Sequence, residues 1–100
     1  MKYIKKMIDE VNDEIHSAKE YAEKYVEYKA NDDMSTAAKF KSMANDELNH
    51  AMTIHQLLTE EIGRLKKVYA NPPQEMMDKW EESHKHYVDK VAWIKQMLTM

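Results

Sequence analysis

Residues 37–65 read AAKFKSMANDELNHAMTIHQLLTEEIGRL, and the spacing of their apolar side chains decides the fold class. Ala37, Phe40, Ala44, Leu48, Ala51, Ile54, Leu58, Ile62 and Leu65 recur every three or four residues, the period at which an α-helix returns its side chains to one face. Three polar residues reach that face or its edge. On a helix turning about 100° per residue, with Ala51 at zero, Glu47 falls about 40° away, inside the apolar arc, and His50 about 100° away, on its edge. His55 lies about 40° to the other side and also points inward.

Outward from this stretch the chain is punctuated twice. Asn31-Asp32-Asp33, followed by Ser35-Thr36, is a loop with N-cap candidates, and Ala70-Asn71-Pro72-Pro73 carries the only prolines. These breaks predict helices over residues 3–30, 34–69 and 74–98. Gly63 lies inside the second and is expected to loosen it by about 1 kcal/mol relative to alanine. The first helix repeats the apolar spacing through Ile4, Ile8, Val11, Ile15, Ala18, Ala22 and Tyr25. The third does so through Met77, Trp80, His84, Tyr87, Val91, Ile94 and Leu98. Short connections between amphipathic helices favour antiparallel neighbours. The expected fold is therefore all-α: a three-helix, up-down-up antiparallel bundle forming one domain over residues 1–100. Three such stripes make a thin core, so a second copy docking into a larger bundle is also expected.

Composition narrows the function classes. Fifteen basic residues are interleaved with eighteen acidic ones, a formal charge of −3 with no basic stripe, which argues against nucleic acid and against a membrane surface. No apolar run approaches the ~20 residues of a spanning helix. Met1 to Val11 is too polar for a secretory signal, so the cytoplasm is the expected compartment. The absence of cysteine excludes disulfides, thiolate metal sites, iron–sulfur clusters and thiol nucleophiles. Chemistry here falls to carboxylates, imidazoles, tyrosines and amines.

Helix 1 also turns one carboxylate inward. With Ala18 at zero, Glu14 falls about 40° away, within the apolar arc, whereas Glu20, Glu23 and Glu27 land on the far side. Counted from the loop near residue 32, Glu14 and Glu47 lie within about one turn of equal height. Buried carboxylates call for a partner, and a Glu-x-x-His pair on one helical face can bring an oxygen and a nitrogen to a single metal ion. In helix 3, His84 occupies the apolar seam and Glu81 flanks it one turn earlier.

These residues resemble a known family. Glu14-Ile-His-Ser-Ala-Lys-Glu-Tyr21, together with Ala44-Asn-Asp-Glu47-Leu-Asn-His50-Ala51, is similar to the first half of a rubrerythrin-type, ferritin-like domain. That family shows an inward Glu and a Tyr seven residues later on its first helix, and a Glu-x-x-His-Ala signature on its second. The resemblance covers about residues 8–60. It implies a di-iron or di-manganese centre with Glu14, Glu47 and His50 as ligands, Glu47 bridging, and Tyr21 beside the metals as a redox or supporting partner. Trp80-Glu81-Glu-Ser-His84-Lys-His-Tyr87-Val88 resembles the late Glu-x-x-His helix of such domains, which adds Glu81 and His84 as candidate ligands. A looser likeness is to small helical proteins of phages and prophages.

The chain departs from the family by one helix and by the missing cysteine module of true rubrerythrins. His84 also sits about 12 Å from the level of His50 if the helices are straight, opposite Leu57 to Glu61, where Glu61 or His55 could meet it. A homodimer resolves the shortfall by supplying a second Glu14, Glu47 and His50, as in the encapsulated ferritin-like proteins that this chain also resembles. The function implied is oxidation of Fe(II) or reduction of peroxide, with dioxygen or peroxide as co-substrate. A different class is a metal-free helical oligomerisation or adaptor protein, suggested by the outward-facing Trp93.

Overall fold

A computed structural model describes residues 2–69 and 71–100, and every element within them is a helix. Helix α1 spans Lys2–Ala30, α2 spans Met34–Val68 and α3 spans Gln74–Met97. The Cα envelope measures 56 × 17 × 17 Å. Such a rod has no deep interior, and its core is a thread along the helix contacts. Among the described residues, no helix is long and apolar enough to cross a membrane.

The α1–α2 turn follows from local chemistry. Asp33 N–H bonds to the Tyr28 carbonyl at 3.0 Å and Asp32 N–H to that of Lys29 at 3.1 Å, with Asp32 at φ 60°. This is a Schellman ending in which aspartate takes the left-handed position usually held by glycine. Asp33 then caps α2, its carboxylate accepting from Thr36 N–H at 3.1 Å. At the other break, Tyr69 N–H closes α2 onto the Leu65 carbonyl, and Pro73 is the N-cap residue of α3. Helix α2 runs through Gly63 without interruption.

Small side chains set the spacing of α1 and α2. Ala18, Ala22, Ala37, Ala44 and Ala51 are all buried, so the two backbones approach closely along their middle. Val11, Ile15, Leu48, Val91, Ile94, Met97 and Leu98 complete this cluster. A second cluster of Ile4, Leu58, Ile62, Leu65 and Met76 joins the start of α1, the end of α2 and the start of α3. Beyond the last turn of α3, Tyr25 Oη and Lys29 Nζ of α1 both donate to the Met100 carbonyl.

The seam expected for α3 is shifted in its first half. Met76, Ser83 and Met97 are buried, whereas Trp80, His84 and Tyr87 are half-buried. Helix α3 meets two neighbours and not one. Trp80, His84 and Tyr87 lean towards α2, while Ser83 turns to the α1 side.

Candidate metal centre

Glu14 is carried by the middle of α1 and Glu47 and His50 by the middle of α2, beside the buried alanines Ala18, Ala44 and Ala51. One ligand atom from each of the three lies within 4.8 Å of the other two. His50 Nδ1 stands 3.6 Å from Glu14 Oε2 and 3.9 Å from Glu47 Oε2. Both distances exceed a hydrogen bond. They match two donors of one coordination sphere, which at about 2.1 Å from an ion lie up to about 4.2 Å apart. The equal height expected for the two carboxylates is therefore met.

Burial is graded across the group. The Glu14 and Glu47 side chains keep 29% and 24% of their surface exposed, and that of His50 keeps 60%. The acids lie in the groove and the imidazole on its rim, as the helical angles predict. The Glu47 carboxyl is pushed above the usual carboxylate range, first by a hydrogen bond shared with Glu14, then by burial and by the charge of Glu14; His50 acts in the opposite sense. Two carboxylates this close together form a site where positive charge is stabilised.

Two oxygens and one imidazole nitrogen suit Fe(II), Mn(II) or Zn(II), and no thiolate is present to favour softer ions. The donor set fits a divalent transition metal. Among the described residues, one chain brings three donors together here.

The other predicted residues are placed differently. Tyr21 is half-buried and stacks on Phe40 with ring centroids 6.2 Å apart, and Phe40 stacks in turn on Tyr28 at 5.4 Å. Glu81 is exposed on α3, and neither it nor His84 joins the group of Glu14, Glu47 and His50. His84 Nδ1 instead lies 3.1 Å from His55 Nε2, in line with the offset in height. Glu61 is paired with Arg64 and takes no part. The stacking of His55 on Tyr87, and of Tyr21 on Phe40, was not anticipated. Its only signal in the sequence is that aromatic residues flank the seams at helical spacing.

No family model, curated protein or solved structure matches the chain.

Proposed function

We propose that the protein is a ferritin-like di-metal carboxylate protein that binds iron, or alternatively manganese, through Glu14, Glu47 and His50. The observation that carries this reading is the meeting of two half-buried carboxylates and an imidazole from two helices within one coordination sphere. In this reading the helices form an up-down-up half-bundle, and a second copy completes the ligand set about a two-fold axis.

The open rim of the α1–α2 pair supports that completion. Met43, Glu47, His50, Ile54 and Leu57 follow one another at four and three residues along α2, and Tyr3, Met7, Glu10, Glu14, Ser17 and Tyr21 do so along α1. Met43, Leu57 and Tyr3 on these stripes are exposed. Stripes of period 3.5 are the geometry for packing further helices at a shallow angle.

The chain's own residues have distinct tasks. Glu47 would be the carboxylate shared between the ions, Glu14 would neutralise charge from the facing helix, and His50 would present Nδ1. Tyr21, two turns from Glu14 and held by Phe40, stands by as a redox partner. A bound pair of Fe(II) or Mn(II) ions would supply the electrons for reducing dioxygen or peroxide, the chemistry of a ferroxidase or peroxide-reducing site. The test is aerobic addition of Fe(II) to the purified protein. A near-ultraviolet absorbance that grows in the wild type and is absent from Glu47→Ala supports the reading, and identical traces remove it.

Trp93, 49% exposed on α3 beside the buried Ile94, favours a second reading as a metal-free assembly or adaptor protein. An oligomer seen by light scattering, with stability indifferent to EDTA and no metal on elemental analysis, would support that reading.

A further inference from the structure

Helix α3 is fastened unequally along its length. Its second half is anchored by Val91, Ile94, Met97 and Leu98 in the main core, and the chain beyond it is held at the Met100 carbonyl by Tyr25 and Lys29. Its first half is poorly satisfied. Trp80 Nε1 and Ser83 Oγ are buried without a hydrogen-bond partner, each a cost that a docked helix has to bear. An open groove of about 360 Å³, lined by Ile4, Ile8, Pro73 and Met76, lies beside its contact with α1. Segments with orphaned polar atoms and incomplete packing open at lower free energy than the rest of a fold.

Besides the apolar cluster that Met76 shares with Leu58, Ile62 and Leu65, this half meets α2 through a ladder of rings. Tyr87 stacks on His55 with centroids 3.8 Å apart and planes at 4°, His55 Nε2 meets His84 Nδ1 at 3.1 Å, and Trp80 stacks on His84 at 5.4 Å. The central rung is a hydrogen bond between two imidazoles. It needs one ring nitrogen with a proton and one without. A single added proton leaves the rung intact, because an imidazolium can donate to a neutral ring. A second proton removes the acceptor and sets two positive charges at 3.1 Å.

We propose that the first half of α3 is a proton-operated latch, docked on α2 while at least one ring of the His55–His84 pair is neutral and released when both are protonated. The surroundings offer little to offset the double charge. On α2, Glu61 is turned to Arg64, and Lys66 lies 5.4 Å over the Trp80 ring, adding positive charge. On α3, the charged neighbour one turn from His84 is Glu81, which is exposed to water, and Tyr87 is uncharged. From α1, Met7 and Ile8 pack with Trp80 against the second apolar cluster, and both are uncharged. Lys5 and Asp9 border the opposite flank of α3, together with Lys79, Glu82 and His86. Burial, and then the charge of His84, hold His55 below the usual imidazole range, near 6.5. A basic group whose folded value is lowered stabilises the fold fully above its unfolded value and progressively less as the pH falls beneath it. Release therefore belongs to pH values under about 6.5, within the endosomal and acid-stress range of histidine switches.

Hydrogen exchange measured by mass spectrometry tests the latch, at about pH 7.5 and about pH 5 and corrected for intrinsic rates. Chelator is present throughout, so the outcome is independent of the metal site. Amides of residues 76–87 are expected to lose protection by about tenfold or more on acidification, the Boltzmann factor of two unit charges at this spacing in a water-like dielectric. Residues 91–97 and the middle of α1 and α2 keep theirs. His84→Gln, which hydrogen-bonds but cannot charge, removes the acid response; if that variant is already open at the higher pH, His55→Gln removes the same double charge from the α2 side and decides. Equal protection of residues 76–87 at both pH values in the wild type, or an acid response that persists in both variants, overturns the proposal.

Discussion

Replacing Glu47 with glutamine separates the demands of metal binding from those of folding, because the two respond in opposite directions. In the metal-free protein at neutral pH, Glu14 and Glu47 confront each other with ligand oxygens inside a 4.8 Å group. Two unit charges at that distance repel by about 0.9 kcal/mol in a water-like dielectric and by more in a partly dehydrated groove. Glutamine keeps the shape, can donate a hydrogen bond to the Glu14 carboxylate and removes one charge. For a chain of this size, about 1 kcal/mol raises the melting temperature by roughly 4–8 °C. The raised Glu47 value gives the sign of the pH dependence: its cost is absent below the ordinary carboxyl value near 4.5 and grows as the pH rises through the folded value. The gain in Glu47→Gln is therefore expected at pH 7 and disappears near pH 4. With Mn(II) present the order inverts, because the wild type gains binding free energy that the variant lacks. Calorimetric melts of both proteins, with EDTA and with Mn(II), at both pH values, read all of this. A metal-free Glu47→Gln protein less stable than the wild type at neutral pH refutes the reasoning that the two acids oppose each other.

Other substitutions probe the scaffold. A Cβ at Gly63 meets nothing within 4 Å and the helix is regular there, so Gly63→Ala is expected to stabilise by about 1 kcal/mol in denaturant unfolding. Asp32, at φ 60°, occupies a left-handed position that glycine adopts without strain, and Asp32→Gly should add about 0.5–1 kcal/mol in the same assay. Leu58 is fully buried where all three helices meet, and truncation to alanine should cost about 2–5 kcal/mol.

The helices were legible because their signals agree. Apolar residues recur at three and four, the breakers fall only between stripes, and the predicted ends at residues 30, 34 and 74 coincide with those observed. Glu14 and Glu47 were legible for a stricter reason. Helical angle fixes whether a side chain points inward, and rise per residue fixes its height, so a hairpin with a known turn brings two positions together by arithmetic. Helix α3 exposes the limit of that arithmetic. A single-seam reading chose Met77 and missed Met76, Ser83 and Met97, because a helix between two neighbours buries two stripes whose relative depth depends on tertiary packing. The His55–His84 contact lay among the alternatives of the sequence reading, but its bond and ring stacking depend on the distance between α2 and α3, which no local pattern encodes.

The central claim, that the acids of α1 and α2 face each other to hold a cation, is tested most directly by equilibrium dialysis of Mn(II) against the purified chain, followed by spin resonance of the bound ion. The account predicts saturable binding at about one ion per chain, two for each pair of copies, and its loss in Glu14→Ala, Glu47→Ala and His50→Ala proteins that remain helical. Unsaturable binding in the wild type, or equal binding by all three variants, would contradict it.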